Sequence, residues 1–119
     1  MNGIGWTLLV GVVLAGFFVL SRGTAGGPGG IDGPSAQKLV SEGARLVDVR
    51  TPAEFGERHL PGAVNIPLQV LQQRISEVDT KETPVVLYCR SGNRSAQAAS
   101  MLRAAGFTAV HDLGAIDRW

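Results

Sequence analysis

The most reactive feature of this sequence is its single cysteine, Cys89, together with the loop that follows it. The apolar run over residues 85–88 predicts a β-strand that ends at the cysteine, and the alanine-rich pattern after the loop predicts a helix. A thiol between a strand end and a helix start lies beside loop N–H groups and the positive end of the helix dipole. Such a setting stabilises an anion, so the sequence predicts a thiolate at Cys89.

The loop after the cysteine is the candidate substrate-binding segment, and it consists of Arg90, Ser91, Gly92, Asn93, Arg94 and Ser95. Arg90 and Arg94 add positive charge near the thiol, and Arg90 is placed to attract an anionic donor. Gly92 is expected to adopt a positive φ or to approach the ligand closely. The hydroxyls of Ser91 and Ser95 are candidates to hydrogen-bond the anion, and Ser95 has the alternative of stabilising the first helical turn.

Four stretches, in order along the chain, resemble the signatures of the rhodanese-family sulfurtransferases: residues 46–55, 56–67, 89–95 and 106–119. The resemblance covers residues 31–119, and Ala115 departs from it because the family often has a second glycine there. It implies a rhodanese-like α/β fold in three layers, with a parallel central sheet and helices on both faces. It also implies that Cys89 accepts a sulfane sulfur as a persulfide from a donor such as thiosulfate, and passes it to a thiophilic acceptor such as cyanide or a thiol.

Two other functions remain as alternatives to a thiosulfate sulfurtransferase. One is a membrane-tethered persulfide carrier or interaction module that a protein partner supplies with sulfur. The other, less favoured, is a cysteine phosphatase or an arsenate reductase. Four residues separate Cys89 from Arg94, whereas cysteine phosphatases use one more. The shorter loop predicts a narrower ring of N–H groups, which suits a single sulfur atom better than a tetrahedral phosphate.

Three polar residues outside the loop are expected to support it: Asp48, Arg50 and Glu54. Asp48 ends a predicted buried strand, where an unpaired carboxylate is costly, and it is interpreted as a structural partner of the active-site loop. Arg94 is expected to pair with either Asp48 or Glu54 and so to shape the loop. Arg50 either contacts substrate or completes that network, and the sequence does not decide between the two.

The composition excludes several classes of function. The length of 119 residues suits one domain, and 11 basic against 10 acidic residues, without a basic run, argue against a nucleic-acid surface. One cysteine and two histidines at scattered positions provide no metal-ligand spacing, so neither a metal nor a cofactor is predicted. His59 and His111 are expected to be structural or exposed. The expected partners are a small sulfur donor and a thiol or cyanide acceptor, with a protein sulfur-relay partner left open.

The N-terminal segment has a different character. Residues 1–21 contain no charged side chain, and residues 4–20 are almost wholly apolar. A helix of about 20 such residues spans a bilayer, so residues 1–22 are predicted to be a transmembrane anchor, and residues 23–30, with five glycines, a flexible linker. A cleaved signal peptide is the alternative, but no Lys or Arg precedes the apolar core. Arg22 and Lys38 favour a cytoplasmic catalytic domain, with an exported domain as the other orientation.

The remaining pattern predicts the domain over residues 31–119. Strands are expected over 45–49, 63–66, 84–88 and 107–111, and helices over 34–40, 52–58, 68–78 and 93–105, the last stopped by Gly106. Strands that alternate with helices form a parallel sheet covered on both faces. Ligands bind beyond the carboxyl ends of such strands, which is where Cys89 lies.

Overall fold

The computed structural model describes residues 30–119, so the predicted anchor and nearly all of the predicted linker lie outside the described residues. Within residues 30–119, no helix is long and apolar enough to cross a bilayer. The elements, in chain order, are α1 (Gly33–Ser41), β1 (Arg45–Asp48), α2 (Pro52–Glu57), β2 (Val64–Asn65), α3 (Leu68–Leu71), a first 3₁₀ turn (Ile75–Glu77), β3 (Val85–Cys89), α4 (Asn93–Ala104), β4 (Val110–Ala115) and a closing 3₁₀ turn (Ile116–Arg118).

The strands of residues 30–119 form one parallel sheet in the order β2-β1-β3-β4. Every residue of the central strand β3 is buried, as the continuous apolar run of an internal parallel strand predicts. The register places Asp48 opposite Tyr88 and Cys89 opposite Ala115. The carboxyl ends of β1, β3 and β4 therefore meet at one edge of the sheet, where folds of this kind bind ligands.

Helices cover both faces of the sheet, which agrees with the predicted three-layer arrangement. Alternate residues of β3 face opposite sides, because side chains in a strand have a period of two. Leu87 and Cys89 pack into the core beneath α3 and α4. Val86 and Tyr88 pack into the second core, with α1 and the closing 3₁₀ turn. The cysteine thus belongs to the side of the sheet that carries α4, the helix that begins directly after its loop.

The segment over residues 68–78 is not the single helix that the sequence predicts. It divides into α3 and the first 3₁₀ turn, and Arg74 between them has φ −110° and ψ 21°. Leu71 and Val78 are nevertheless fully buried. Ile75 and Val78 lie three residues apart. Residues at this spacing lie on the same side of a 3₁₀ turn, as they also do on an α-helix. The apolar pattern therefore predicted the buried face of this segment and misjudged its geometry.

The last strand begins later than the sequence predicts, at Val110 rather than at residue 107. Helix α4 ends in a Schellman motif: Gly106, with φ +102°, donates its N–H to the Arg103 carbonyl, and Phe107 donates its N–H to the Leu102 carbonyl over 3.0 Å. Phe107 is therefore part of the helix cap, and its apolar side chain packs into the core beneath α4. The predicted stop at Gly106 is confirmed, but the cap displaces the strand.

Candidate active site

The sulfur of Cys89 lies at the carboxyl end of β3, inside the turn that leads into α4. The residue is fully buried. The amide N–H of Gly92 donates to Sγ over 3.0 Å, and Ser95 Oγ lies 3.5 Å from the same sulfur. Gly92 precedes α4 with φ +108°, a backbone conformation that residues with a side chain rarely adopt. This conformation turns the Gly92 N–H inward toward the sulfur. The loop therefore places the Gly92 N–H donor and the Ser95 hydroxyl against the sulfur.

Two opposing effects set the acidity of this thiol. Burial of Cys89 raises its pKa, because a thiolate is poorly stabilised away from water. Hydrogen bonds from the Ser95 hydroxyl and from the backbone N–H groups of Ser95, Gly92 and Ser91 lower the pKa, and together they hold it below the ordinary value of a cysteine. The geometry therefore favours the thiolate, which is the reactive form of cysteine.

Ser95 combines the two roles that the sequence left as alternatives. Its side chain has no exposed surface. Its hydroxyl lies beside the Cys89 sulfur and also donates to the Gly92 carbonyl over 3.1 Å, across the first turn of α4. A hydroxyl has one proton, so it bonds to the Gly92 carbonyl or to the sulfur, and a thiolate is the stronger acceptor. Ser95 is thus able to respond to the ionisation of the thiol.

Arg94 pairs with Glu54, which decides between the two partners that the sequence allowed. Its guanidinium makes a bidentate pair with the carboxylate over 2.7 and 3.0 Å. The hydrogen bonds from Arg94 and, to a smaller extent, from the Thr51 N–H lower the pKa of Glu54 to about 2. Glu54 also forms a capping box with Thr51 at the start of α2. The pair therefore ties the first turn of α4 to the first turn of α2 beside the reactive loop.

The expected direct pairing of Asp48 with the loop is not observed. The Asp48 carboxylate is fully buried and is occupied by Arg50, whose Nη2 and Nε lie 2.7 and 3.1 Å from Oδ2. Residues two apart in extended backbone lie on the same side, which brings these two side chains together. Arg50 also donates to the Arg58 carbonyl and lies 5.6 Å from the centre of the Tyr88 ring. Asp48 therefore supports the site through Arg50.

A cavity of about 320 Å³ opens beside the loop, lined by Arg50, Glu54, Glu57, Arg58, Arg90, Ile116 and Asp117. Arg90 follows Cys89, and Ile116 follows Ala115, the register partner of Cys89. The cavity therefore lies at the strand end that carries the thiol. Sequence reasoning did not single out Glu57, Arg58, Ile116 or Asp117. The available signal was that the ends of β3 and β4 meet at one edge, which brings the residues after β4 toward Cys89.

The other sequence-predicted residues have the following positions. Ser91 and Asn93 are exposed on the loop. His59 is exposed and stacks on Phe55, with ring centroids 3.9 Å apart, so its role is structural, as expected. His111 is half-buried in β4 opposite Val86, toward the far end of the strand from Cys89.

Ala115 lies closer to the chemistry than its distance in sequence indicated, because it is the register partner of Cys89. Its φ of −75° is ordinary for any residue. Alanine is therefore accommodated without strain at this departure from the pattern that the resemblance implied.

A family model described as the rhodanese-like domain matches residues 34–119. The match covers well over half of the chain, and it includes the cysteine loop, the ion-paired Arg50 and Arg94, and the residues that line the cavity. The chain belongs to the rhodanese-like family. This result confirms the predicted relationship to the rhodanese family, and the observed sheet confirms the predicted α/β fold with a parallel central sheet.

Particular relatives narrow the class. The thiosulfate sulfurtransferase PspE of Escherichia coli is 38% identical over 71 residues, covering 59% of this chain and 68% of PspE. The uncharacterised protein YqhL of Bacillus subtilis is 47% identical over 77 residues, which span 64% of this chain and only 60% of YqhL. The human single-domain sulfurtransferase TSTD1 superposes with a TM-score of 0.69 at 29% identity, covering 78% of this chain and 96% of TSTD1. These similarities confirm the predicted enzyme class, a rhodanese-type sulfurtransferase.

Proposed function

We propose that this protein transfers a sulfane sulfur from a donor such as thiosulfate to a thiophilic acceptor, through a persulfide on Cys89. The observation that carries the proposal is the inward-pointing Gly92 N–H, 3.0 Å from the sulfur, at the base of a loop whose other donors also lower the pKa of the thiol. A structural cysteine in a core needs no such donors. A nucleophile that must leave again as a thiolate does need them.

In the first half-reaction, the Cys89 thiolate attacks the outer sulfur of thiosulfate. A bond forms between Sγ and that sulfur, the sulfur–sulfur bond of thiosulfate breaks, and its electron pair leaves with sulfite. Arg90 is exposed and lines the cavity next to the thiol. Its guanidinium binds the sulfonate oxygens of the donor and stabilises the negative charge that leaves with them.

In the second half-reaction, an acceptor nucleophile attacks the outer sulfur of the persulfide. The bond between the two sulfurs breaks, and its electron pair returns to Sγ. The Gly92 N–H and the Ser95 hydroxyl then stabilise the departing thiolate, as they stabilise the attacking thiolate in the first half. One set of donors therefore serves both half-reactions, and by lowering the pKa of the thiol it makes the reactive thiolate more available without a separate general base.

A persulfide carrier supplied by a protein partner is a second candidate, and one observation favours it. Cys89 has no exposed surface, so a small donor reaches the sulfur only when the residues that cover it move aside. A docked protein partner is well suited to displace them. Rapid turnover with free thiosulfate supports the enzyme, and persulfide exchange that requires a protein partner supports the carrier.

We further propose, from the sequence alone, that residues 1–22 anchor the protein in a membrane with the catalytic domain on the cytoplasmic side. The support is the uncharged apolar run and the position of Arg22 after it. Resistance of the full chain to alkaline extraction from membranes would support the anchor. Cleavage near residue 25, seen by N-terminal sequencing of the mature protein, would instead support the signal peptide.

The direct test of the transferase activity is the production of thiocyanate from thiosulfate and cyanide by the full chain in detergent. We expect turnover by the wild type and none by Cys89→Ser, with Ser100→Ala, an exposed position on α4, as the control that retains activity. Full activity of Cys89→Ser would refute the proposal. Hydrolysis of an aryl phosphate that depends on Cys89 would support the phosphatase instead.

A further inference from the structure

The charged side chains around the cavity divide into paired and unpaired groups. Four of them are already in ion pairs: Arg50 with Asp48, Glu54 with Arg94, and Arg58 with Asp117. Each of these pairs is electrically neutral, and each satisfies both of its members. The pairs therefore shape the cavity walls, and they leave little charge with which to select a ligand.

Glu57 and Arg90 are the charged lining residues that remain. Glu57 is the last residue of α2, and Arg90 follows β3, so they belong to different elements around the same cavity. Both are exposed, and within residues 30–119 neither side chain takes part in an ion pair or hydrogen bond. The cavity therefore offers one free carboxylate and one free guanidinium, and its overall charge is balanced.

A ligand that complements one fixed anion and one fixed cation carries one ammonium and one carboxylate. We infer that the sulfur acceptor is a zwitterionic thiol of the amino-acid type, with its ammonium on Glu57 and its carboxylate on Arg90. The inference rests on the proposed sulfur transfer, since it concerns the acceptor of the Cys89 persulfide. A cavity of about 320 Å³ lies in the range that holds small molecules of this kind.

Glu57 also disfavours acceptors that carry a carboxylate but no ammonium group. A purely anionic mercapto acid gains the contact with Arg90 but meets the unpaired Glu57 carboxylate, and the repulsion lowers its rate. In the productive step the acceptor thiolate attacks the outer sulfur of protonated Cys89 persulfide. The sulfur–sulfur bond breaks, its electron pair returns to Sγ, and the acceptor leaves as a hydropersulfide that keeps the proton. Charge and atoms balance without a further reactant.

The test uses persulfide-loaded full-length protein and four thiols. L-Cysteine has both charged groups, cysteamine has the ammonium only, mercaptopropionate has the carboxylate only, and mercaptoethanol has neither. The rate at which each thiol removes the extra sulfur, about 32 Da by intact mass, is measured for the wild type, Glu57→Gln and Arg90→Gln. Glu82→Gln, exposed and outside the cavity lining, is the matched control. Each rate is expressed as a ratio to the wild type with the same thiol, which cancels the thiol's own nucleophilicity.

We expect Glu57→Gln to slow sulfur transfer to L-cysteine and to cysteamine by about fivefold, which is the effect expected from the loss of one partly exposed ion pair. The same variant is expected to accelerate mercaptopropionate and to leave mercaptoethanol unchanged. Arg90→Gln is expected to slow the two thiols that carry a carboxylate. A Glu57→Gln effect that is absent, or equal for all four thiols, overturns the inference.

Failure of the inference is distinguishable from failure of the proposed function. If thiosulfate does not load Cys89, the proposed donor reaction fails. A polysulfide then loads the thiolate chemically, and the four thiols test the acceptor preference as before. If thiosulfate loads the protein but the four ratios are flat, sulfur transfer stands and the zwitterion preference is rejected.

Discussion

The amide N–H of Gly92 donates to the sulfur of Cys89 over 3.0 Å, and the left-handed backbone of Gly92, with φ +108°, directs it there. The same residue caps the start of α4. A Cβ at this position would lie 3.8 Å from Gly114 Cα, which is ordinary contact. Space at Gly92 therefore tolerates a methyl group, whereas the backbone conformation does not.

Gly92→Ala is predicted to raise the pKa of the Cys89 thiol and to destabilise the fold by about 1–2 kcal/mol, the cost of a left-handed alanine. The pKa is measured by the ultraviolet absorbance of the thiolate, and the stability by urea unfolding. Gly56→Ala in α2 is the matched control, because no atom lies within 4 Å of its Cβ position and its φ is not positive. It is expected to stabilise α2 by about 0.5–1 kcal/mol. An unchanged thiol pKa in Gly92→Ala would contradict the role of this N–H.

Ser95→Ala is predicted to shift the alkylation profile of Cys89 to higher pH. The hydroxyl is among the groups that lower the pKa of the thiol, so its removal raises the pKa and leaves less thiolate at neutral pH. The measurement is the rate of reaction with iodoacetamide as a function of pH. Ser95→Thr retains the hydroxyl and is expected to keep most of the shift, and exposed Ser100→Ala is expected to match the wild type. Coincident profiles for Ser95→Ala and the wild type would show that the Ser95 hydroxyl does not lower the pKa of the thiol.

Asp48→Asn is predicted to destabilise the protein by about 3–5 kcal/mol, because it leaves the buried Arg50 guanidinium without its counter-charge. Asp117→Asn breaks the Arg58 pair, whose side chains are 62% and 79% exposed, and should cost less than about 1 kcal/mol. Urea unfolding of the two variants compares a buried with an exposed pair in one protein. Equal losses of unfolding free energy would show that burial does not make the Asp48–Arg50 pair more important for stability than the exposed pair.

Glu54→Gln is predicted to remove a pH-dependent part of the stability. The Arg94 pair lowers the pKa of Glu54 from 4.5 to about 2. The folded protein therefore binds fewer protons than the unfolded chain, so the stabilisation is complete above about pH 4.5 and is lost as the pH falls toward 2. The difference in unfolding free energy between the wild type and Glu54→Gln should shrink over this interval, and Arg94→Gln should reproduce it. A difference that does not vary with pH would rule out the charged pair as its source.

The sequence was most informative where local pattern and chemistry coincided. The apolar run into Cys89 predicted the central strand, and the residues after it predicted a helix with a thiol at its start. Both depend on short-range signals, periodicity and the types of residue in the loop. The end of α4 at Gly106 was also predicted from a local signal. The Schellman motif that includes Phe107 was not predicted, and because of it the last strand begins later than the sequence indicated.

Pairings between elements were less accessible. Glu54 and Asp48 were equal candidates for Arg94, because nothing in a sequence measures the distance between residues on different helices and strands. The signal for Asp48 was its spacing of two residues from Arg50 in extended backbone, which favours their pairing. Glu57 and Asp117 enter the cavity from α2 and from the closing turn, which meet only in the folded chain. Tertiary contacts of this kind need the structure.

The central claim is that Cys89 accepts sulfur from a donor as a covalent persulfide. The most direct measurement is the intact mass of the full chain after incubation with thiosulfate, beside Cys89→Ser treated in the same way. We predict a gain of one sulfur, about 32 Da, in the wild type and none in the variant, with sulfite released in equal amount. A wild-type mass that does not change, or a gain that persists in Cys89→Ser, would contradict the account.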